Sequence, residues 1–228
     1  MKNIWKVFWN SEDTEYMSNE ELAHKISSDI GISDFLSKLL VARGIKTSSE
    51  ANDFLNPSIK DVHDPFIMKD MEKAVELLIE IKEKKEKIVV FGDYDVDGVT
   101  AASILFLGLK DLGFDVEAYI PSRMDEGYSL NMEAIEEFKK NKYKNIITVD
   151  CGITSINEVI YAKSIGMRVI VTDHHEPQET LPPADAVVNP KRWDDEYPFK
   201  GLAGCGVSFK VLTAVASRID KNYSTYKF

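Results

Sequence analysis

The sequence predicts an α/β fold, and two observations carry that expectation. Five short runs rich in Val and Ile, at residues 88–92, 116–120, 145–149, 168–172 and 186–188, read as strands. Helical patterns at 99–112, 132–140 and 155–164 separate most of them. Near-continuous apolar strands alternating with helices indicate a parallel, Rossmann-like sheet of about five strands, flanked by helices on both faces.

Residues 1–66 read as a small, mostly helical lead-in. Within it, residues 33–43 place Phe35, Leu36, Leu39 and Leu40 at helical spacing and stop at Gly44. Thr47 and Glu50 have capping-box spacing and open a short helix through Phe54 and Leu55, which Pro57 ends. Trp5, Phe8 and Trp9 read as packing residues rather than stacking platforms, and Asp64-Pro65 marks a turn and a boundary. The second domain is expected over 67–228. It opens with a helix over 71–85 that carries Ala74, Val75, Leu78 and Ile81 on one face. The helices after the first and third strands end at Gly113 and Gly166, and Ser155 with Glu158 repeats the capping-box spacing. A last helix over 207–219 follows the glycine-rich stretch 201–206.

Composition narrows the function. The 228 residues include 28 basic and 38 acidic side chains, a formal net charge of −10. That balance argues against a broad, sequence-blind electrostatic grip on nucleic acid, and favours divalent cations wherever the carboxylates cluster. No stretch approaches the roughly 20 apolar residues of a membrane helix, so no membrane partner is expected. The opening MKNIWKVFWNSEDTE turns polar after nine positions, and no signal peptide is expected. The two cysteines, Cys151 and Cys205, form no CxxC pair; neither a zinc site nor a disulfide framework is indicated, and a cytoplasmic location fits.

Three strands end in aspartate: IVVFGD at Asp93, IITVD at Asp150 and VIVTD at Asp173. In an open parallel sheet, ligands bind outside the carboxyl ends of the strands. The segment DYDVDG adds Asp95 and Asp97, and the third strand-end Asp continues into His174 and His175. One such Asp is explained as a helix cap. Five are not. Two like charges about 4 Å apart repel by about 4 kcal/mol at an effective dielectric near 20, so converging carboxylates need protons or bound cations. Carboxylates with imidazole and no thiolate suit manganese or magnesium, the nitrogen favouring manganese. There are enough ligands for two ions sharing one aspartate, an arrangement suited to in-line hydrolysis of a phosphoester.

Two decoys fall away. DYDVDG begins like an EF-hand loop, but its twelfth position is Ile104 and it follows a strand. GLAGCGV is neither a P-loop nor a dinucleotide fingerprint.

The phrases DYDVDG, TVDCG, TDHHEP and GLAGCGVSFK, in this order, resemble the DHH phosphoesterase superfamily. GDYDVDGVTA, IPSRMDEGY and VVNPKR look like its RecJ branch, the single-stranded-DNA exonucleases; the oligonucleotide and cyclic-dinucleotide branches usually carry a His where this chain has Phe91. The resemblance extends through LLVARGI, DFLNPSI and DPFIMKDMEKAV of the lead-in. It implies metal ligation by Asp95 and Asp97, one for each ion, by Asp150 as a bridge and by His174, with Asp93 and Asp173 as orienters or secondary ligands. His175 resembles the phosphate-facing histidine of the family. Two readings stay open for Arg123, a phosphate or DNA contact or a solvated arginine, and two for Gly204 and Gly206, helix amides for a phosphate or close packing of the turn.

The implied activity is 5′→3′ hydrolysis of single-stranded DNA to mononucleotides in repair and recombination, with manganese or magnesium as cofactor. The alternatives are a DHH enzyme acting on short oligonucleotides or cyclic dinucleotides, and a catalytically silent DHH module. The family's fourth motif and its DHHA1-type and OB-type domains are not found in the sequence, so it is expected to be a truncated part, weak or inactive alone. Single-stranded-DNA-binding or helicase partners would act through those C-terminal parts.

Overall fold

The computed structural model describes residues 18–58, 61–122 and 129–220. Trp5, Phe8 and Trp9 lie outside the described residues. The chain divides into two compact units, Met1–Val62 and His63–Phe228.

The first unit contains helices α1 (Asn19–Ile30), α2 (Asp34–Ala42) and α3 (Ser48–Leu55). The Thr47–Glu50 capping box forms as its spacing predicts. Helix α1 is the element the sequence reading passes over, although its signals are present. Ser18 and Glu21 make a reciprocal capping box, and Gly31 ends the helix in the left-handed conformation. Leu22, Ala23 and Ile26 of α1 bury against Leu40 and Val41 of α2 and Ala51 of α3.

The second unit begins with a 3-10 turn at Pro65–Ile67, capped by Asp64. It continues through α4 (Met71–Glu83), β1 (Ile88–Phe91), α5 (Val96–Asp111), β2 (Val116–Tyr119), α6 (Met132–Lys140) and β3 (Asn145–Val149). Then come α7 (Ile156–Ser164), β4 (Arg168–Thr172), β5 (Ala186–Val188) and α8 (Gly204–Ile219). All strand pairs are parallel, in the order β2-β1-β3-β4-β5. The α/β sheet of five strands expected from the sequence is therefore present.

Strand residues alternate between two cores because successive side chains point to opposite faces. Ile88, Val90, Ile147, Val149 and Ile170 pack with the apolar faces of α4, α5 and α8. Val89, Phe91, Ile146, Val169 and Val171 pack on the other face with α6 and α7. Burial on both faces explains why these strands read as continuous apolar runs.

The strand order has a positional consequence. After β1 the chain turns outward through α5 to β2, whereas after β3 it turns the other way through α7 to β4. Connecting helices then leave the carboxyl ends of β1 and β3 on opposite faces, which opens a crevice between them. One predicted cap is absent here. Ser155 makes no side-chain cap bond to α7; its hydroxyl pairs instead with that of Ser129 at 2.8 Å. The buried partner outcompetes the local cap.

Helices α5 and α8 pack closely because Gly108 has no side chain. A Cβ there would lie 2.3 Å from Leu212, which is fully buried and has nowhere to move. Gly108→Ala is therefore expected to destabilise the second unit by about 1–3 kcal/mol. That lowers its thermal midpoint by several degrees, with partial recovery in the Gly108→Ala/Leu212→Ala pair. An unchanged midpoint in the single variant would show that α5 and α8 do not depend on this approach.

Candidate metal centre

The aspartates at the strand ends do converge. Ligand atoms of Asp93, Asp95 and Asp150 lie within 4.8 Å of one another, and so do those of Asp150, His174 and His175. Asp150 belongs to both groups, at the carboxyl end of β3 between β1 and β4.

Each carboxylate is placed by its own local device. Asp95 is the N-cap of α5 and accepts from the Gly98 amide at 2.9 Å, so the capping explanation holds for one of its oxygens. Gly98 is obligatory in that turn, because a Cβ would strike the Asp93 backbone at 2.5 Å. Asp93 is buried and accepts from the Tyr94 amide. Its burial, opposed by that amide and reinforced by neighbouring Asp95, pushes its carboxyl above the ordinary range.

Asp97 is held from a distant part of the chain. Helix α8 has no side-chain cap of its own at Ala203. The Gly204 and Cys205 amides donate instead to Asp97 Oδ2 and Oδ1, at 2.7 and 2.8 Å. This satisfies two orphan donors of the helix and places a negative charge at its positive end. Burial alone would raise the Asp97 carboxyl, but these amides hold it below its ordinary value. The expectation that the Gly204 amide awaits a phosphate gives way, since Asp97 already occupies it.

Gly204 has a second task. A Cβ on it would sit 2.4 Å from Asp150 Oδ1. Only glycine lets the helix end approach that carboxylate. Gly206, by contrast, has a looser surround, where a Cβ would lie 3.2 Å from the Leu202 side chain.

Asp150 itself is 2 % exposed and adopts a left-handed backbone, φ 59°, uncommon outside glycine. Its Oδ1 lies 2.9 Å from His174 Nε2, yet this buried oxygen has no hydrogen-bond partner. Burial first, and the nearby Asp97 charge next, push its carboxyl up to about 7. His174 Nε2 also lies 3.4 Å from Asp97 Oδ2.

Asp173 works differently. Its Oδ1 accepts from the amides of His174 and His175 and pairs with His175 Nδ1, at 2.7, 3.1 and 2.7 Å. Its Oδ2 accepts from the Ile153 amide at 2.9 Å, tying the turn after β3 to the end of β4. The bond from Asp173 raises the His175 pKa, against burial, which lowers it. One residue of this support escaped the sequence reading. Buried Asn189 donates its side-chain amide to the His175 carbonyl at 2.9 Å and accepts from the Lys191 amide. Its signal was the phrase VVNPKR, in which Asn189 directly follows β5. Arg123 lies outside the described residues.

This donor set fits divalent cations. It offers oxygen and imidazole nitrogen, a buried carboxylate oxygen without a hydrogen-bond partner, and a glycine cradle beside it. Both cysteines are free; Cys151 is buried, and Cys205 is engaged with Asp97 through its backbone.

The family model described as "DHH family, N-terminal domain" matches residues 87–227. The single-stranded-DNA-specific exonuclease RecJ of Bacillus subtilis (strain 168) is 40% identical over 88% of this chain and 26% of its own length. RecJ of Haemophilus influenzae is 39% identical over 85% of this chain and 33% of its own length. The chain thus spans between a quarter and a third of these relatives. Among solved structures, exonuclease RecJ bound to manganese is 40% identical, with TM-score 0.62, over 67% of this chain and 39% of that one. RecJ in complex with Mn2+ from Thermus thermophilus is 31% identical, with TM-score 0.68, over 86% of this chain and 27% of that one. With the matched region covering both aspartate-bearing turns and the Asp-His-His run, the chain belongs to the DHH family.

Proposed function

We propose that the second unit holds two divalent cations, manganese or magnesium, and that the protein is a phosphodiesterase acting on single-stranded DNA. One observation carries this reading: ligand atoms of two triplets, Asp93/Asp95/Asp150 and Asp150/His174/His175, gather around a shared Asp150. The RecJ relatives support the substrate class, and the manganese-bound RecJ structures support the metal.

Asp150 would hold both ions, Asp95 and Asp97 would hold one each, and His174 would hold the second. Asp93, read from sequence as secondary, belongs with the ligands, because its carboxylate joins the same triplet as Asp95. Asp173 is the orienter: it is 1% exposed and takes four donors, three of them on Oδ1, whereas Asp97 takes one amide on each oxygen and stands 3.4 Å from His174 Nε2. The ions, when bound, would supply activation of water and neutralisation of the developing charge. The chain's own part is geometric. Asp97 is immobilised on the end of α8, Asp150 is fixed by its turn, and His175 is held at Nδ1 where its ring can meet a phosphate oxygen. A narrow, acidic, metal-filled crevice would admit a single strand and read no bases. The cytoplasm is the proposed setting, and no described helix is long and apolar enough to cross a membrane.

Two substitutions test the reading. Asp150→Ala should reduce manganese stoichiometry in calorimetric titration from two ions to at most one. It should also slow manganese-dependent release of nucleotides from single-stranded DNA by about a hundredfold or more, relative to the unsubstituted chain whatever its absolute rate. Unchanged stoichiometry would remove Asp150 from the centre. Gly204→Ala places a methyl against Asp150 and should weaken manganese binding about tenfold while the thermal midpoint stays within a few degrees. Preference for dinucleotides over long strands in the same assay would replace single-stranded DNA as the substrate.

A further inference from the structure

Residues 189–203 join β5 to α8 and are tied to the metal centre at both ends. At one end Asn189 holds the His175 carbonyl; at the other, Gly204 and Cys205 hold Asp97. Between these anchors the strap is rigidified by two buried hubs. Arg192 donates to both oxygens of Asp194, to Asp70 Oδ2 at 2.9 Å and to the Val187 carbonyl at 2.6 Å. The buried Asp195 carboxylate accepts from the backbone amides of Lys69 and Tyr197 and pairs with Lys200. A segment so fixed should hide its apolar side chains. Instead Trp193 is 62% exposed and Phe199 54%. Lys191 and Arg192 precede Trp193 and Lys200 follows Phe199, with the acidic Asp194, Asp195 and Glu196 between the two aromatics. Lys191 reaches back to Glu176, beside His175, at 3.1 Å.

Distance along the chain is short. Trp193 is four positions beyond Asn189, at most about 14 Å of extended backbone. That is the length of roughly four stacked nucleotides. The charge balance supplies a second reason. With a net charge of −10 the protein has little to offer a phosphate backbone outside its bound cations. A strand leading to the centre must gain affinity from its bases, and exposed aromatics are the groups that stack on bases of any sequence.

We propose that Trp193, with Phe199, is a base-stacking platform on this strap for the part of a single strand that leads to the metal centre. The inference rests on the phosphodiesterase reading above and deepens it, by assigning where the nucleobases, rather than the phosphates, are held. Stacking explains what the centre alone does not: grip on a long strand without recognition of its sequence.

The test measures binding separately from hydrolysis. A phosphorothioate-linked oligo-dT, which resists cleavage, is titrated with the 228-residue chain in manganese by fluorescence anisotropy. An abasic strand of equal length is the comparison. Trp193→Ala should weaken oligo-dT binding roughly five- to hundredfold. Trp193→Phe should restore most of that loss, and the abasic strand should bind all forms alike. Phe199→Ala should show the same pattern, with thermal midpoints unchanged. Equal oligo-dT affinity for Trp193→Ala and the unsubstituted chain would overturn the platform, as would equal losses on the abasic strand. Failure of the parent reading looks different: normal discrimination between oligo-dT and the abasic strand, with no manganese bound by the chain in calorimetric titration. Absence of any oligo-dT binding would overturn both.

Discussion

The architecture of the second unit turns on the repulsion among carboxylates that its sheet brings to one edge. Asp93, Asp95, Asp97, Asp150 and Asp173 arrive there from three strand ends and one turn, and like charges a few ångströms apart cost several kcal/mol even in a partly screened medium. Among the described residues, this cost is met with backbone amides rather than with lysine or arginine. Tyr94, Gly98, Gly204, Cys205, Ile153, His174 and His175 all point amides at one of these carboxylates. Amides stabilise the charge without filling the space between the carboxylates. A guanidinium would neutralise the cluster and occupy it. The space stays available to small cations.

Asp150 is where this strategy stops. Its carboxyl is raised to about 7 because burial and Asp97 act on it without an amide to compensate. It is also the residue with the unusual left-handed backbone. Strain and an unsatisfied buried oxygen at one position persist only where the surroundings impose them, and such positions gather at functional sites. Helix α8 packs beside Asp150. Its first turn lies against Asp150 through Gly204 while its amides clamp Asp97, and its approach to α5 depends on the missing side chain at Gly108. A packing contact between two helices thereby fixes the relative placement of two carboxylates that are 53 positions apart in the sequence.

Which parts of this were legible in the sequence follows from how local each device is. β1, β3, β4 and β5 could be read because burial on both faces leaves apolar, Val/Ile-rich runs, unlike β2 with its exposed Glu117 and Ala118, and the strand-end aspartates because they follow such runs. The Asp95 cap could be read too, being a three-residue contact. The trans cap of α8 by Asp97 could not, since it joins residues 107 positions apart and Ala203 gives no hint that a cap exists. Likewise the Ser155 capping box had the right spacing, and a buried hydroxyl from Ser129 took its partner. Helix α1 was missed for a different reason. Only Leu22, Ala23, Ile26 and Ile30 of its twelve residues are apolar, so the apolar stripe is narrow even though both caps are in place.

The three strand-end aspartates look alike in sequence, and their environments separate them. Asp173 is 1% exposed and spends its oxygens on three amides and one imidazole. Little of it remains for a cation. Asp150, as deeply buried, makes no hydrogen bond through Oδ1 and stands 2.9 Å from His174 Nε2. The same division splits the adjacent histidines. His174 faces the carboxylates of Asp150 and Asp97, whereas His175 is fixed through Nδ1 by Asp173 and through its carbonyl by Asn189. A run of one aspartate and two histidines thus contains an organiser, a residue directed at the carboxylate cluster, and a ring held in place beside it. Exchanging Asp173 for an isosteric amide would therefore disturb the orientation of both rings before it removed any charge a cation needs.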